Sequence, residues 1–430
     1  MDENRRPYIN KINENDSSSI ETSPIDSGKD YTVYDDKHHR FSIGIDKDGY
    51  IHILGDMHHG NNPQYRHSPK KDDEVNPLPS RFKNSIGGQM YWVSDKPEDI
   101  SSFTFMGDNK NRAIPSHRLT YCYFKTDNNG KLYMAGRQRV KDLDQSHVAG
   151  EMGLGLWEYD TSDKNWNQLG GIAQHNGSEY GLDEDDKKAF KSIFWEPHGE
   201  KHKNKKGKTT IWYQSFGSSL KFDSNNRMHL VSCINADSKH YDTTHLVYAY
   251  SDDDGKTFHK LNGDEIKSLP IRVTGKNNNN GDIVFSKEIA EKENIPTFTG
   301  NFPGLFWDKD FSPAVSYTKD LDDKESAYRY WDKDKKRWIS KEFRPTTPNI
   351  RGDHFPLSDG SMLTIGNKEI CHKQSFEDKG NLRTLQNDIF NKNSKRFLKG
   401  IDDTLLRERN ILRGLATKND RDVIVSLSYE

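Results

Sequence analysis

Three cysteines in 430 residues, Cys122, Cys233 and Cys371, are too few and too scattered for a disulfide framework. Packing and backbone pairing must hold this chain instead. Long apolar runs are also missing: no window approaches the roughly eighteen apolar residues that cross a bilayer, and Met1-Asp2-Glu3-Asn4-Arg5-Arg6-Pro7 lacks the apolar core of a secretory leader. A soluble chain with no membrane partner is expected. An excess of one charge is lacking too, since 64 Lys plus Arg stand against 66 Asp plus Glu for a formal charge of -2. The total therefore calls for neither nucleic acid nor an anionic membrane. Mean hydropathy is -1.02, yet 11% of residues are aromatic, a balance that fits short strands carried on long polar loops. One large β domain can reach this length.

What is present is a repeated theme in which a polar turn of Asp, Asn and Gly leads into an alternating apolar strand. It occurs at Asp46-Lys47-Asp48-Gly49 before Tyr50 to Ile53, at Asp127-Asn128-Asn129-Gly130 before Leu132 to Met134, at Asp223-Ser224-Asn225-Asn226 before Met228 to Leu230, and at Ser358-Asp359-Gly360 before Met362 to Ile365. Each predicts a hairpin. A second repeat closes a strand with an aromatic: Trp157 and Tyr159 to Trp166, Tyr248 and Tyr250 to Phe258, Tyr328 and Trp331 to Trp338. Its middle copy, Ser251-Asp252-Asp253-Asp254-Gly255-Lys256-Thr257-Phe258, resembles an Asp-box, whose terminal aromatic wedges between blades. Recurrent four-stranded units with aromatic punctuation indicate an all-β propeller, and six or seven blades suit about 400 ordered residues. The strand-like Arg421 to Ser428 is expected to complete the blade begun near residue 31.

Residues 1–30 are polar and read as a flexible N-terminal tail, leaving 31–430 as a single propeller domain. Inserted loops are expected near 181–210, where Lys201 to Lys208 is strongly basic, and near 380–415, where Leu382, Leu385 and Ile389 fall at helical spacing.

The stretch richest in chemistry runs from Asp35 to His59. Folding its hairpin brings His38 and His58 to the same end, so two imidazoles that exchange protons near neutral pH would share one sheet edge. His52 alternates with Ile51 and Ile53 and reads as a packed or edge histidine. Trp212 and Tyr213 precede the third hairpin, where Tyr213 could stack on a sugar. His229, Cys233, His240 and His245 cluster on adjoining strands, but their spacing fits no standard zinc pattern.

Segment 34–66 resembles the N-terminal blade of the BNR-4 propellers: Ser42 to Asp46, Asp48 to His52 and Asp56 to His58 match its motifs directly. Leu119-Thr120-Tyr121-Cys122, Asp127 to Gly130 and Leu132 to Arg137 look like that family's Thr-Tyr-Pro strand, turn and arginine-bearing strand. Cys122 replaces the usual proline. His39 and His59 replace the asparagines that follow each family histidine, and with Tyr213 they are the candidate substrate contacts. The family includes lyases of uronic-acid polysaccharides, among them ulvan lyases and rhamnose-glucuronate lyases, built as seven-bladed propellers of four-stranded antiparallel blades. The resemblance implies a polysaccharide lyase whose catalytic positions are His38, His58, Tyr121 and Arg137. Its partner would be an acidic polysaccharide or oligosaccharide, with no nucleic acid. No cofactor is required, although a structural zinc (on His229, Cys233 and His245) or calcium is compatible.

Elimination across C4–C5 of a uronate suits these residue types. Arg137 would neutralise the carboxylate, and a base and an acid drawn from His38, His58 and Tyr121 would move the protons, with Tyr121 preferred as the acid. Two other classes share the scaffold. A sialidase-like glycosidase needs an arginine triad with an Arg-Ile-Pro element, which is broken here at Arg112-Ala113-Ile114-Pro115. A non-catalytic carbohydrate- or protein-binding propeller has no use for the four-residue set. The substrate logic places the chain outside cells or on a particle, in tension with the missing leader.

Overall fold

The computed structural model describes residues 7–13, 19–25, 41–55, 90–107, 119–139, 152–172, 174–175, 178–179, 191–196, 201–203, 209–211, 214–236, 242–273, 280–295, 303–307, 312–318 and 326–341, together with the strands at 352–356, 361–366, 370–375, 383–386, 411–418 and 421–428. Strands β1 (Tyr8–Ile12) and β2 (Ile20–Pro24) form a hairpin. Sheet I then follows as β3 (Ser42–Ile45), β4 (Ile51–Gly55), β5 (Met90–Ser94) and β6 (Phe103–Gly107), and sheet II as β7 (Leu119–Thr126), β8 (Leu132–Arg139), β9 (Met152–Asp160) and β10 (Asn165–Leu169). Sheet III pairs Gln214–Phe222, Met228–Ala236, Asp242–Ser251 and Asp282–Ser286, and sheets IV (304–341) and V (352–386) repeat the plan. All five are antiparallel four-stranded meanders in chain order, a propeller-like architecture.

The turn aspartates explain why sheets I, II and III start as they do. Asp46 Oδ1 accepts from the amides of Asp48 and Tyr50, Asp127 Oδ1 from Asn129 and Lys131, and Asp223 Oδ1 from Asn225 and Arg227, at 2.8 to 3.0 Å. One carboxylate thus ties down two amides of each turn. The third residue after each aspartate has positive φ, at Gly49 (85°), Gly130 (82°) and Asn226 (63°). Asparagine serves in the third turn because it tolerates the left-handed region better than most residues with a side chain.

Aromatic wedges join neighbouring sheets. Trp166 stacks on Phe124 at 5.7 Å and packs with Leu54 and Tyr91 of sheet I. Phe258, fully buried, closes the Asp-box into a cluster containing Tyr133 and Leu156 of sheet II and Leu220 and Leu230 of sheet III. In that box Ser251 Oγ accepts from the Gly255 amide and donates to Asp253, which also holds Thr257. Trp338 meets Tyr248 edge-on at 5.4 Å between sheets III and IV. Polar clasps accompany the wedges: Asn128 and Asn226 bridge the turns of sheets II and III.

Several expectations are corrected. The described residues form five four-stranded sheets and five two-stranded pairings, so the expected count of seven four-stranded blades is not reached among them. Arg421–Ser428 pairs with Ile411–Lys418 rather than closing the first sheet. Within the stretch expected to be a flexible tail, β1 and β2 pair, and Ile9 and Ile25 bury themselves against Ile51, Ile53 and Trp92. Two apolar side chains on one face outweighed the polar composition around them. In the inserted loop near 181–210, Lys201–Lys203 pairs with Thr209–Ile211, and residues 204–208 lie outside the described residues. Near 380–415, Arg383–Gln386 is the last strand of sheet V rather than a helix. A helix does form at Lys287–Glu293 (α1), where Ser286 Oγ accepts from the Ile289 amide and Asn294 caps the far end at φ 51°. The Ser286 cap, the Glu288 in the first turn and the Lys292 in the last are the sequence signals for it.

Candidate active site

The strand pair β7–β8 carries the candidate site, and its geometry begins with an irregularity. Thr120 faces Arg137 and Tyr123 faces Ala135, so Tyr121 and Cys122 together oppose the single residue Gly136. This is a β-bulge, which bends a strand and re-aims a side chain. Tyr121 takes φ 56°, an uncommon backbone state for an aromatic residue inside a strand. Glycine is required opposite, because a Cβ at 136 would collide with the Cys122 sulfur and come within 3.0 Å of its Cα. Burial pushes the Cys122 thiol well up, only partly opposed by the Arg137 charge. Cys122 is therefore a packing residue under the bulge rather than a nucleophile.

Bulge and register bring Tyr121 and Arg137 together. The Arg137 guanidinium carbon lies 4.8 Å from the centre of the Tyr121 ring, and Nε donates to Thr120 Oγ1 at 2.7 Å. Arg137 is buried, while Tyr121 is half-buried. The expected pairing of Arg137 with Asp142 or Asp144 falls outside the described residues. The buried cation thus rests on an aromatic face and donates to a hydroxyl.

His38, His39, His58, His59, Trp212 and Tyr213 lie outside the described residues, as does His240. The hairpin that should carry the histidines is formed, with Ser42 opposite Leu54. His52 is buried, as its alternation predicts: Nδ1 lies 2.6 Å from the Tyr91 hydroxyl and Nε2 3.1 Å from Asp46 Oδ2.

The metal candidates are not gathered into one site. His229 and Cys233 share a strand four residues apart, a separation of roughly 13 Å at strand rise. His229 is engaged elsewhere, with Nδ1 2.6 Å from the Tyr248 hydroxyl and Nε2 3.3 Å from Asp223, the latter contact too poorly aligned to be a hydrogen bond. The Cys233 thiol donates to Asn235 Oδ1 at 2.8 Å, and His245 sits across from Ile234. Among the described residues no three His, Cys, Asp or Glu side chains converge. The repeated link from turn aspartate through histidine to cross-strand tyrosine, Asp46–His52–Tyr91 and Asp223–His229–Tyr248, escaped the sequence reading. Its signal is histidine at the sixth place after the turn aspartate in both hairpins.

No helix among the described residues is long and apolar enough to cross a membrane. No curated protein matches the chain in sequence. Among solved structures it is similar to a polysaccharide lyase PL25 ulvan lyase bound to -[GlcA(1-4)Rha3S]-, with 12% identity, TM-score 0.58, and coverage of 98% of this chain and 86% of that one. It is likewise similar to the polysaccharide lyase Uly1, with 13% identity, TM-score 0.61, and coverage of 98% and 84%. At such identities the likeness establishes a shared fold. Residues 4–344 match the model described as BNR repeat-containing family member, and the chain belongs to that family.

Proposed function

We propose that the chain is a carbohydrate-active enzyme, specifically a polysaccharide lyase that cleaves at a uronic acid by β-elimination. The observation that carries this reading is the buried Arg137 guanidinium set on the face of Tyr121 at 4.8 Å. A uronate C5 proton is weakly acidic because the adjacent carboxylate is already negative. Arg137 would neutralise that charge and stabilise the enolate-like charge that grows as the proton leaves. A base takes the C5 proton, the C4–O4 bond breaks, and an acid delivers a proton to O4, leaving a C4=C5 double bond on the new non-reducing end. Tyr121 is the preferred acid, with His38 and His58 as the base or as the groups that assist it. His39, His59 and Tyr213 are the proposed sugar contacts.

The fold shared with ulvan lyases is consistent with an acidic glycan as ligand. Neither the sialidase-like reading nor the non-catalytic one accounts for a tyrosine held in a left-handed bulge against an arginine. The test is incubation of the purified chain with a panel of uronate polymers while following ultraviolet absorbance. Rising absorbance with unsaturated uronate ends is expected. New reducing ends without absorbance would point to hydrolysis, and binding without either would leave a lectin-like propeller.

A further inference from the structure

We infer that the hairpin of Lys201–Lys203 and Thr209–Ile211 is a cationic arm at the rim of the candidate site, holding the length of acidic glycan that runs beyond the bond being cut; this rests on the lyase reading and adds a binding site to it. The run Lys201-His202-Lys203-Asn204-Lys205-Lys206-Gly207-Lys208 carries five lysines and no acid. Antiparallel pairing of Lys201 with Ile211 and of Lys203 with Thr209 sets Lys201 and Lys203 on one face of the hairpin, about 7 Å apart along the strand. Residues 204–208 lie outside the described residues. Each is at most three positions from a paired strand, so the chain keeps their lysines within about 11 Å of it. Among the described residues the hairpin stays a separate two-stranded sheet.

The backbone places this arm. The turns of sheets II and III lie together, with Asn128 donating to the Asp223 carbonyl and Asn226 to Asp127, and along the inner strands the Tyr123 and Ser218 hydroxyls meet at 3.0 Å. The two sheets therefore run side by side, and their strand ends away from those turns share one rim. Arg137 and Tyr121 stand toward that rim. The chain reaches it on both sides of the hairpin. Phe194 bridges Leu154, the cross-strand partner of Arg137, and runs antiparallel to it, so Glu196 leaves level with Met152, the first residue of β9. Gln214 re-enters at the head of the inner strand of sheet III. Only three positions separate Ile211 from Gln214, a span of at most about 11 Å, and Tyr213 lies within it. Location and charge together select the ligand. The whole chain has a formal charge of -2, so no broad positive field surrounds it, and five lysines gathered at this rim match a polyanion that crosses the site. Lysine ammonium groups are strongly hydrated and their single contacts are weak and screened by salt, so the arm acts through their number along a chain.

The test combines Lys201→Gln, Lys203→Gln, Lys205→Gln, Lys206→Gln and Lys208→Gln in the full chain. On a glucuronate polymer KM should rise about 10- to 100-fold with kcat within about 3-fold of the parent, since each exposed charge pair is worth up to about 5-fold and neighbouring pairs do not add fully. On a short oligosaccharide that fills only the cleavage site, both constants should stay near those of the parent. The five corresponding Lys→Arg changes keep the charge and should keep the parent's KM. Raising salt from about 0.05 to about 0.5 M should raise the parent's KM steeply and that of the glutamine variant little. Equal losses on polymer and oligosaccharide, or a parent-like KM on the polymer, overturn the inference. So does a lower Tm with unchanged polymer affinity, the result expected if the lysines pair instead with the acidic run Asp183-Glu184-Asp185-Asp186.

Electrophoresis through a gel holding the same polymer, in its acid or its carboxyl-reduced form, reads the arm without turnover. Retardation by the acid form alone, lost in the glutamine variant, supports the inference. Equal retardation of parent and variant overturns it, as does tighter binding of a single-stranded polynucleotide than of the acid glycan through the same lysines. A parent retarded through these lysines that yields no unsaturated product on any uronate polymer sinks the lyase reading alone and leaves the arm as an acidic-glycan site.

Discussion

Counted from their turn aspartates, Arg137 of sheet II and Cys233 of sheet III hold the same place, each in the second strand of its sheet. Arg137 is set over a tyrosine and tied to a threonine, whereas the Cys233 thiol turns to a neighbour two residues on. Both first strands carry a bulge near this end, but in sheet III it opposes Cys233 itself, one residue further along than in sheet II, where it opposes Gly136. At the turn end the two sheets stay alike, with the same doubly accepting aspartate and a left-handed third residue. One end of the repeat is thus scaffold, shared by sheets I, II and III. The other is where a shift of one residue decides whether an arginine meets a tyrosine.

The largest expected difference between the sheets is in activity. Arg137→Ala should lower kcat on a uronate polymer about 10²- to 10³-fold, the usual loss when a preorganised charge-stabilising group is removed. Cys233→Ala, at the matching place, should leave kcat within about 2-fold, since the buried thiol donates to Asn235 of its own strand and not to the Tyr121–Arg137 pair. Steady-state rates on the two variants check this, and equal losses would mean that sheet III shares the site.

Gly136→Ala tests whether the bulge itself is needed. The new methyl would meet the Cys122 sulfur and backbone, so the bulge must shift. Overpacking of this kind costs about 1–3 kcal/mol. Both a lower melting temperature and a loss of activity beyond that of a matched core variant such as Leu156→Val are expected. Destabilisation with full activity would separate the bulge from the chemistry.

Much of this was legible in the sequence because local rules dominate the turn end. Aspartate at the head of a turn, glycine at its third place and an aromatic closing the next strand each have a local physical cause, and the hairpins and wedges follow. Tyr121 and Arg137 were marked by resemblance to a family motif, and the hairpin that carries them follows from the Asp127 turn, but their contact also needs the bulge. The bulge was not legible, because Cys122 stands where that motif has proline and no local signal announces that two residues will face one glycine. The partnering of Ile9 and Ile25 with sheet I escaped notice for a different reason: two apolar residues in a polar stretch gain from burial only once a distant surface is formed. Glu293 and Arg329, a two-point ion pair between α1 and sheet IV in which the arginine is buried and the glutamate exposed, belong to the same class of long-range contact.

The turn end offers the next comparison, because sheet III places histidine at 229 where sheet II has Tyr133. Burial pushes the His229 imidazole below its usual range, against the pull of Asp223, while Arg227 and Asp252 add smaller opposing effects. Trp307 packs edge-on at 5.3 Å, and Tyr248 Oη meets Nδ1. The folded chain therefore favours the neutral ring. Its stabilising effect is complete above about pH 6.5, the unfolded value, and is lost as pH falls below that. His229→Gln should cost about 1–3 kcal/mol at neutral pH through the stranded Tyr248 and Asp223, and should remove this share of the acid sensitivity. Thermal melts at pH 5 and 7 read both effects, and an unchanged pH slope would show that His229 does not titrate on unfolding.

Asp282 lies across the sheet from Tyr248 and runs the opposite way. Burial pushes its carboxyl up to about 6, although the Leu261 amide donates to it at 2.6 Å and Lys260 is near; Asp264 adds a small push in the same direction as burial. An acid whose folded value is raised holds a proton that the unfolded chain releases, so its effect on stability falls as pH rises from about 4 to 6. Asp282→Asn keeps an oxygen to accept from Leu261 and carries no charge to bury. It should therefore stabilise the chain at pH 7 by about 1–2 kcal/mol and do little at pH 4. Because His229 and Asp282 titrate with opposite sign in overlapping windows, the parent conceals both. Between pH 5 and 7, Asp282→Asn should gain stability with pH more steeply than the parent, and His229→Gln less steeply. Melts of the two variants with parallel slopes would mean that the interior of sheet III takes up no protons at these groups.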